Sequence, residues 1–412
     1  MKCQGPGSQR SWFAFPMKLL GVSMKYSLDR REFLWMMAGS SAGLLSGATA
    51  SAASTQETPS YLKDYGALYR TDPHAAALKW FQDAKFGLFM HYGLYSQLGR
   101  GEWVMLHENV PFAQYQSLKE TFNPARFDAN DITNCAIDAG MKYVNLTAKH
   151  HEGFCLFHTS QTTYNSTDAP LCKRDLVGEL AEACHKKGLG LFLYYSIAAD
   201  WHHPYFCDPS AGWDFFRPAY AQKPAQYKWR EDADTKIYIE YVRRELHELL
   251  TQYGPIAGIW FDPVMGYYAR PDLFPLDEIY TQIRTLQPSC LISFKQGGIG
   301  KEDFAAPERN AGQAKIHDSV AVDRRKTAGQ VAQHAWEMNH LKPFEICDTL
   351  QAGQWGYNKS EDGKHRGTKE VLVMLAAARS RNANLLLNTG LMPNGSIPAE
   401  DRQTLKEVGK AG

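Results

Sequence analysis

Seven short apolar runs recur along the chain, each ending in or beside a polar or aromatic residue. They are Phe86–His91, Tyr143–Lys149, Leu189–Ser196, Gly258–Asp262, Cys290–Lys295, Phe344–Thr349 and Ala383–Asn388. Their near-continuous apolarity predicts strands buried on both faces, as in a parallel sheet. Stretches of helical character lie between most of them: Asp131–Ala139, Arg174–Lys187, Thr235–Tyr253, Asp277–Leu286 and Lys369–Ser380. This alternation predicts an α/β protein, a (β/α)8-like TIM barrel rather than an open sheet. No glycine-rich nucleotide loop follows the first run, which disfavours a dinucleotide-binding fold. Asn384–Gly390, Pro393-Asn394-Gly395 and a helix from Ala399 to about Val408 complete the pattern. The expected fold is therefore a barrel without an evident C-terminal β-sandwich.

The first ~55 residues look like an address. Ser27-Leu28-Asp29-Arg30-Arg31-Glu32-Phe33-Leu34 is a twin-arginine pattern, an apolar run follows from Trp35 to about Ala48, and Ala50-Ser51-Ala52 offers a small-residue cleavage site. The run is too short and too rich in Gly, Ser and Ala for a transmembrane helix. Residues 1–53 are expected to be a signal region, with Met24 a conventional start, and 54–412 the catalytic barrel domain. The pattern implies a periplasmic or secreted protein with no stable membrane anchor.

Composition changes this picture little. The 412 residues are 44% hydrophobic, enough for a sizeable core, and the net charge is +1 with no basic stripe, so nucleic acid is not an expected partner. Aromatics make up 12%, including 10 Trp and 21 Tyr, which suits stacking on the C–H faces of sugars. The eight cysteines form no CxxC pair. Cys3 lies in the segment to be removed, and the other seven are expected to be buried free thiols.

In a barrel, chemistry gathers at the C-terminal ends of the strands. Those ends carry His91, His150, His151, Tyr194, Tyr195, Trp260 and Asp262. Asp262 closes Gly258-Ile259-Trp260-Phe261-Asp262, and a carboxylate delivered by an apolar strand is costly unless paired or reactive. A turn-capping role before Pro263 is the plain alternative. His150 and His151 suit hydrogen bonds to sugar hydroxyls. A metal site would need further ligands, which the spacing does not offer, and adjacent residues on a strand point to opposite faces. Glu102 beside Trp103 sets a hydroxyl acceptor next to a stacking plane.

These motifs together resemble glycoside hydrolase family 29, the α-L-fucosidases. The resemblance rests on Lys85–Gly93, Gly101–Trp103, Lys149–Phe154, Tyr194–Ser196 with Asp200-Trp201, Trp260–Asp262 and Trp355-Gly356-Tyr357, and runs from about residue 75 to 408. It implies a retaining hydrolase acting on a fucosylated oligosaccharide or glycoconjugate through a fucosyl-enzyme intermediate, without cofactor or metal. Asp262 matches the family's nucleophile. His91, His150 and His151 match histidines that bind fucose hydroxyls, and Glu102 and Trp103 the loop pair at the sugar. Tyr195 matches a tyrosine near the nucleophile, with Tyr194 the adjacent alternative. Trp260 matches the wall under the sugar's methyl side, and Trp355 an aromatic at the mouth.

The acid/base is expected at Glu308, in a Pro-Glu segment like that of the subgroup favouring branched α-1,3/1,4-fucosides. Glu302, Asp303 and Glu345 are alternatives. Two positions depart from the family: Tyr92 where Trp is common, and Pro263 where Gly follows the nucleophile. Three other functions stay open: a fucose-binding protein without turnover, a hydrolase of a related sugar such as an α-L-galactoside, and a metallohydrolase using His150 and His151. The oligomeric state is not legible.

Overall fold

The structure, a computed structural model, describes residues 57–309 and 315–411. The twin-arginine pattern and its cleavage site fall outside the described residues. Among the described residues, seven strands form one parallel sheet: β1 Phe86–His91, β2 Tyr143–Lys149, β3 Gly190–Ser196, β4 Gly258–Asp262, β5 Leu291–Ser293, β6 Glu345–Thr349 and β7 Asn384–Gly390. Their order is β5-β4-β3-β2-β1-β7-β6. Strands β1 to β5 and β7 are buried along their whole length, as continuous apolar runs require when helices cover one face and a packed interior the other.

Among the described residues, eight longer helices accompany the strands: α1 Pro73–Ala84, α2 Ala129–Asp138, α3 Leu176–Lys187, α4 Thr235–Gln252, α5 Leu276–Leu286, α6 Arg325–Asn339, α7 Thr368–Ser380 and α8 Ala399–Ala411. The side chains of Asp72, Asp128 and Asp175 cap the first three by accepting from backbone N–H groups of the first turn. Helix α2 packs on α3, α4 on α5, and α8 on both α2 and α7. No helix among the described residues is long and apolar enough to cross a membrane. The seven described cysteines are buried free thiols, as expected.

The two sheet edges, β5 and β6, approach each other through an irregular segment, Asp303–Arg309. Its Asp303 and Ala306 N–H groups donate to Ile292 and Lys295 carbonyls, each at 2.7 Å. On its other side Ala305 N–H donates to Pro343 O at 3.0 Å, and Arg309 N–H to Cys347 O at 2.9 Å. One segment bonded to both edges means that the sheet is curled. The architecture is an α/β fold with a curled parallel sheet, consistent with a (β/α)8-like domain.

Candidate active site

A cavity of about 400 Å³ opens at the C-terminal strand ends. Asp262, Glu308, His91, His150, His151, Glu102, Trp103, Trp260 and Trp355 all line it. Asp262, at the end of β4, is 7% exposed. Tyr194 O–H donates to its Oδ2 at 2.8 Å, and Lys295 Nζ lies 3.2 Å from its Oδ1. Burial raises the Asp262 pKa. The Lys295 charge opposes that rise, nearby Glu308 adds to it, and the Tyr194 hydrogen bond again lowers it. The carboxylate is thus costly to keep ionised and is held so by one cation and one hydroxyl.

Lys295 also donates to Glu308 Oε1. Burial would depress the ammonium's pKa, but Asp262 and Glu308 together push it above the ordinary range. A lysine shared by two carboxylates bounds their oxygens at roughly 6 Å, compatible with the ~5–5.5 Å of a retaining pair. Asp262 is almost fully buried, whereas the Glu308 side chain is 40% exposed. Only the second can exchange protons readily with solvent.

The other candidate acids do not reach the cavity. Glu302 accepts from Tyr280 O–H and from the N–H groups of Gly298, Ile299 and Gly300, fixing its own loop. Asp303 accepts from Ile292 N–H, Arg284 and His74. Glu345 accepts from Tyr143 O–H at 2.6 Å and Trp260 Nε1–H at 3.0 Å, and burial raises its pKa to about 7 against those two bonds. Glu345 therefore fixes the Trp260 ring from behind. With Nε1–H consumed there, Trp260 has only its ring faces left, and the Lys295 ammonium lies over the ring 5.0 Å from its centroid.

The histidine wall is built from β1 and β2. His91 Nδ1 lies 2.7 Å from Asn388 Oδ1, whose Nδ2 donates to Thr349 Oγ1 and Trp355 O. The amide oxygen must accept, so His91 carries its proton on Nδ1 and Nε2 is an acceptor. His151 Nδ1 lies 2.7 Å from Ser196 Oγ, which donates to Ala199 O at 2.6 Å. The same logic leaves His151 Nε2 an acceptor, 3.6 Å from Asp262 Oδ2. A ligand hydroxyl could satisfy either. Burial lowers the His91 pKa to about 3, and burial with neighbouring His and Lys charge lowers those of His150 and His151 well below the ordinary value. All three are neutral, and the buried His150 Nδ1 has no protein partner.

Both histidines reach the cavity, against the alternation expected for a strand. The physical reason is that β2 stops at Lys149, and His150–His151 already turn. Lys149 anchors that turn from behind, donating to Tyr195 OH and Glu245 Oε2, each at 2.8 Å, with Asp200 Oδ2 3.4 Å away. Trp201 N–H donates to His151 O at 2.7 Å.

Tyr195 is the correction. It does not line the cavity but points into the helical layer, its hydroxyl on Glu245 at 2.5 Å. In the β3–β4 register Tyr194 pairs with Trp260 and Ser196 with Asp262, while Tyr195 pairs with Phe261. Alternation therefore turns Tyr194 inward and Tyr195 outward. Tyr92, the departure from Trp, also faces away, with its hydroxyl on Pro393 O, so that change does not touch the cavity.

Glu102 Oε2 accepts from Trp355 N at 3.0 Å and Gly356 N at 2.8 Å. Burial raises its pKa to about 7 against these backbone N–H groups. A Cβ at Gly390 would sit 2.4 Å from Tyr357 N, so glycine there lets the Trp355 loop close over the end of β7. Lys295 is the functional residue that sequence reasoning left without a role. Its signal was present, since it ends the apolar run Cys290–Lys295. Among the described residues, Asp362, His365 and Glu400 are close enough to share a metal ion, but they lie outside the cavity lining.

A family model described as alpha-L-fucosidase matches residues 50–411. The chain belongs to the α-L-fucosidase family. A putative α-L-fucosidase of Caenorhabditis elegans is 27% identical over 360 residues, 80% of this chain but 64% of that protein. The chain thus spans less than two thirds of that relative's length. Among solved structures, α-L-fucosidase isoenzyme 1 from Paenibacillus thiaminolyticus is similar at 34% identity and TM-score 0.64, covering 82% of this chain and 76% of that one. An α-L-fucosidase from Lactobacillus casei in complex with α-L-fucose matches at 29% identity and TM-score 0.62, covering 81% and 98%. Family membership places a fucosidase fold around the cavity described above.

Proposed function

We propose that this protein is a retaining α-L-fucosidase whose nucleophile is Asp262 and whose acid/base is Glu308. One observation carries the reading: a buried carboxylate and a half-exposed one meet across a shared lysine, in one cavity with His91 and His151, whose Nε2 atoms are acceptors. In this scheme Asp262 attacks the anomeric carbon while Glu308 protonates the leaving oxygen. Glu308 then takes a proton from the water that cleaves the fucosyl ester. His91, His150, His151 and Glu102 hold the ring, and Trp260 and Trp355 keep water from it. Counting Asp303–Arg309 as an irregular eighth strand makes the fold a (β/α)8-like barrel with the acid on that strand.

Phe89, Trp260 and Trp355 form an apolar group, with ring centroids 5.5 and 6.2 Å from Phe89, which favours the methyl of fucose over the hydroxymethyl of L-galactose. An apolar pocket rejects an added hydroxyl only modestly, so the fucoside is expected to be preferred by up to about 10² in kcat/KM. The test is hydrolysis of paired aryl α-L-fucoside and α-L-galactoside, with the first-formed anomer followed by NMR. Release of α-L-fucose supports the reading; first release of the β-anomer, or no turnover, overturns it.

Lys295→Met gives a further expectation. The cation opposing the raised Asp262 pKa is lost, and burial and Glu308 remain to push it up. The nucleophile must be ionised, so the acidic limb of kcat/KM moves to higher pH. A pH profile with the limb unmoved would remove Lys295 from this role.

A further inference from the structure

We infer that Phe215 and His317, continuing the wall from Trp103, form the subsite for the sugar ring that departs as leaving group. This rests on the fucosidase reading above. The cavity does not end at the histidine wall. Trp103 lies 4.7 Å from the His151 ring on one side and 5.5 Å from Phe215 on the other, and Phe215 lies 5.5 Å from His317. All four rings line the one cavity. The hydroxyl acceptors His91, His150, His151 and Glu102 lie before Trp103 in this row, and Phe215 and His317 lie beyond it.

The segments that carry this outer wall are tied together. Asp214 N–H donates to Ser319 O at 3.0 Å, and Ala321 N–H to Gly212 O at 3.0 Å. Trp213 Nε1–H donates to Ser319 Oγ at 2.9 Å. Ser319 N–H donates to His317 Nδ1 at 3.2 Å, which makes that nitrogen an acceptor and, in the neutral ring, leaves the proton on Nε2. The wall therefore offers apolar ring faces, the His317 N–H and, on the same segment of the lining, the Lys315 ammonium. Among the described residues, the acidic ones lining the cavity are Glu102, Asp262 and Glu308, none of them on this wall.

That chemistry fits a pyranose whose C–H face lies on Phe215 and whose hydroxyl or amide oxygens accept from His317 and Lys315. Its position fits as well. His317 follows Glu308 closely in the chain, and Met265, also in the lining, follows Asp262. The leaving oxygen departs on the Glu308 side of the anomeric carbon, opposite the attack of Asp262.

The test compares two substrates in the full protein: α-L-fucosyl fluoride, whose leaving group cannot occupy the subsite, and the α-L-fucosyl-N-acetylglucosamine isomer that the wild type cleaves fastest. For Phe215→Ala and His317→Ala, the ratio of kcat/KM on the disaccharide to that on the fluoride is expected to fall about tenfold or more. Two variants guard against misfolding, since His317 is exposed and its loss does not empty the core. A ratio that stays at the wild-type value in both variants overturns the subsite. A wild-type protein that cleaves neither substrate overturns the fucosidase reading and the subsite with it.

Discussion

Replacing Asp262 with alanine is expected to lower kcat/KM on an aryl α-L-fucoside by about four orders of magnitude, roughly 5.4 kcal/mol of activation free energy. The size follows from the geometry. Asp262 is the carboxylate buried at the end of β4 and held between Tyr194 and Lys295, so no neighbouring group can take its place. The alanine side chain leaves room for a small anion beside Lys295. Added azide should therefore restore part of the turnover and yield a fucosyl azide of inverted configuration. Near-wild-type activity in this variant, measured on protein freed of wild-type contamination, would remove the nucleophile assignment. Folding should survive, because Asp262 pairs with groups that line the same cavity.

Glu308→Ala should instead divide substrates by their leaving groups. General acid catalysis is worth about 10²–10⁴ where the leaving oxygen is basic. A fucosyl disaccharide should lose that amount in kcat/KM, while a fucoside with an acidic phenol, which departs without a proton, should lose roughly tenfold or less. The half-exposed carboxylate also predicts that the slow step in this variant becomes defucosylation for good leaving groups, seen as a burst of phenol. Equal losses on both substrates would move the acid elsewhere. Glu302, Asp303 and Glu345 could take the role only by abandoning the hydrogen bonds that now hold them.

The strands were legible because each is buried on both faces and stops at a residue that breaks the apolar run. Phe86–His91, Tyr143–Lys149 and Gly258–Asp262 lie where the pattern put them, to the residue. The same property hid the orientation of Tyr194 and Tyr195. An apolar run with no polar alternation carries no parity signal, and only pairing with β4 decides which tyrosine faces inward. Helix α6 was missed for a different reason. The residues it buries are Ala328, Ala332, Ala335 and Asn339, a stripe of small side chains that a search for large apolar residues passes over. Lys295 was visible as a strand end but mute as to role, because its function depends on two carboxylates distant in sequence. The alternatives to Glu308 could be separated only by seeing which hydrogen bonds each one makes.

The two reacting carboxylates stand on backbone of unlike kinds. Asp262 is locked by the β3–β4 register, where a one-residue insertion would swing it out of the cavity and bring Phe261 or Pro263 in its place. Glu308 rides on Asp303–Arg309, which bonds to the β6 edge through Ala305, Pro307 and Arg309, with Pro307 able only to accept, and to the β5 side through Asp303 and Ala306. An insertion or deletion inside it would break the bonds that join the two sheet edges. Engineering that seeks new acceptors or linkages should therefore keep both segments at their present length and vary the side chains of the outer wall.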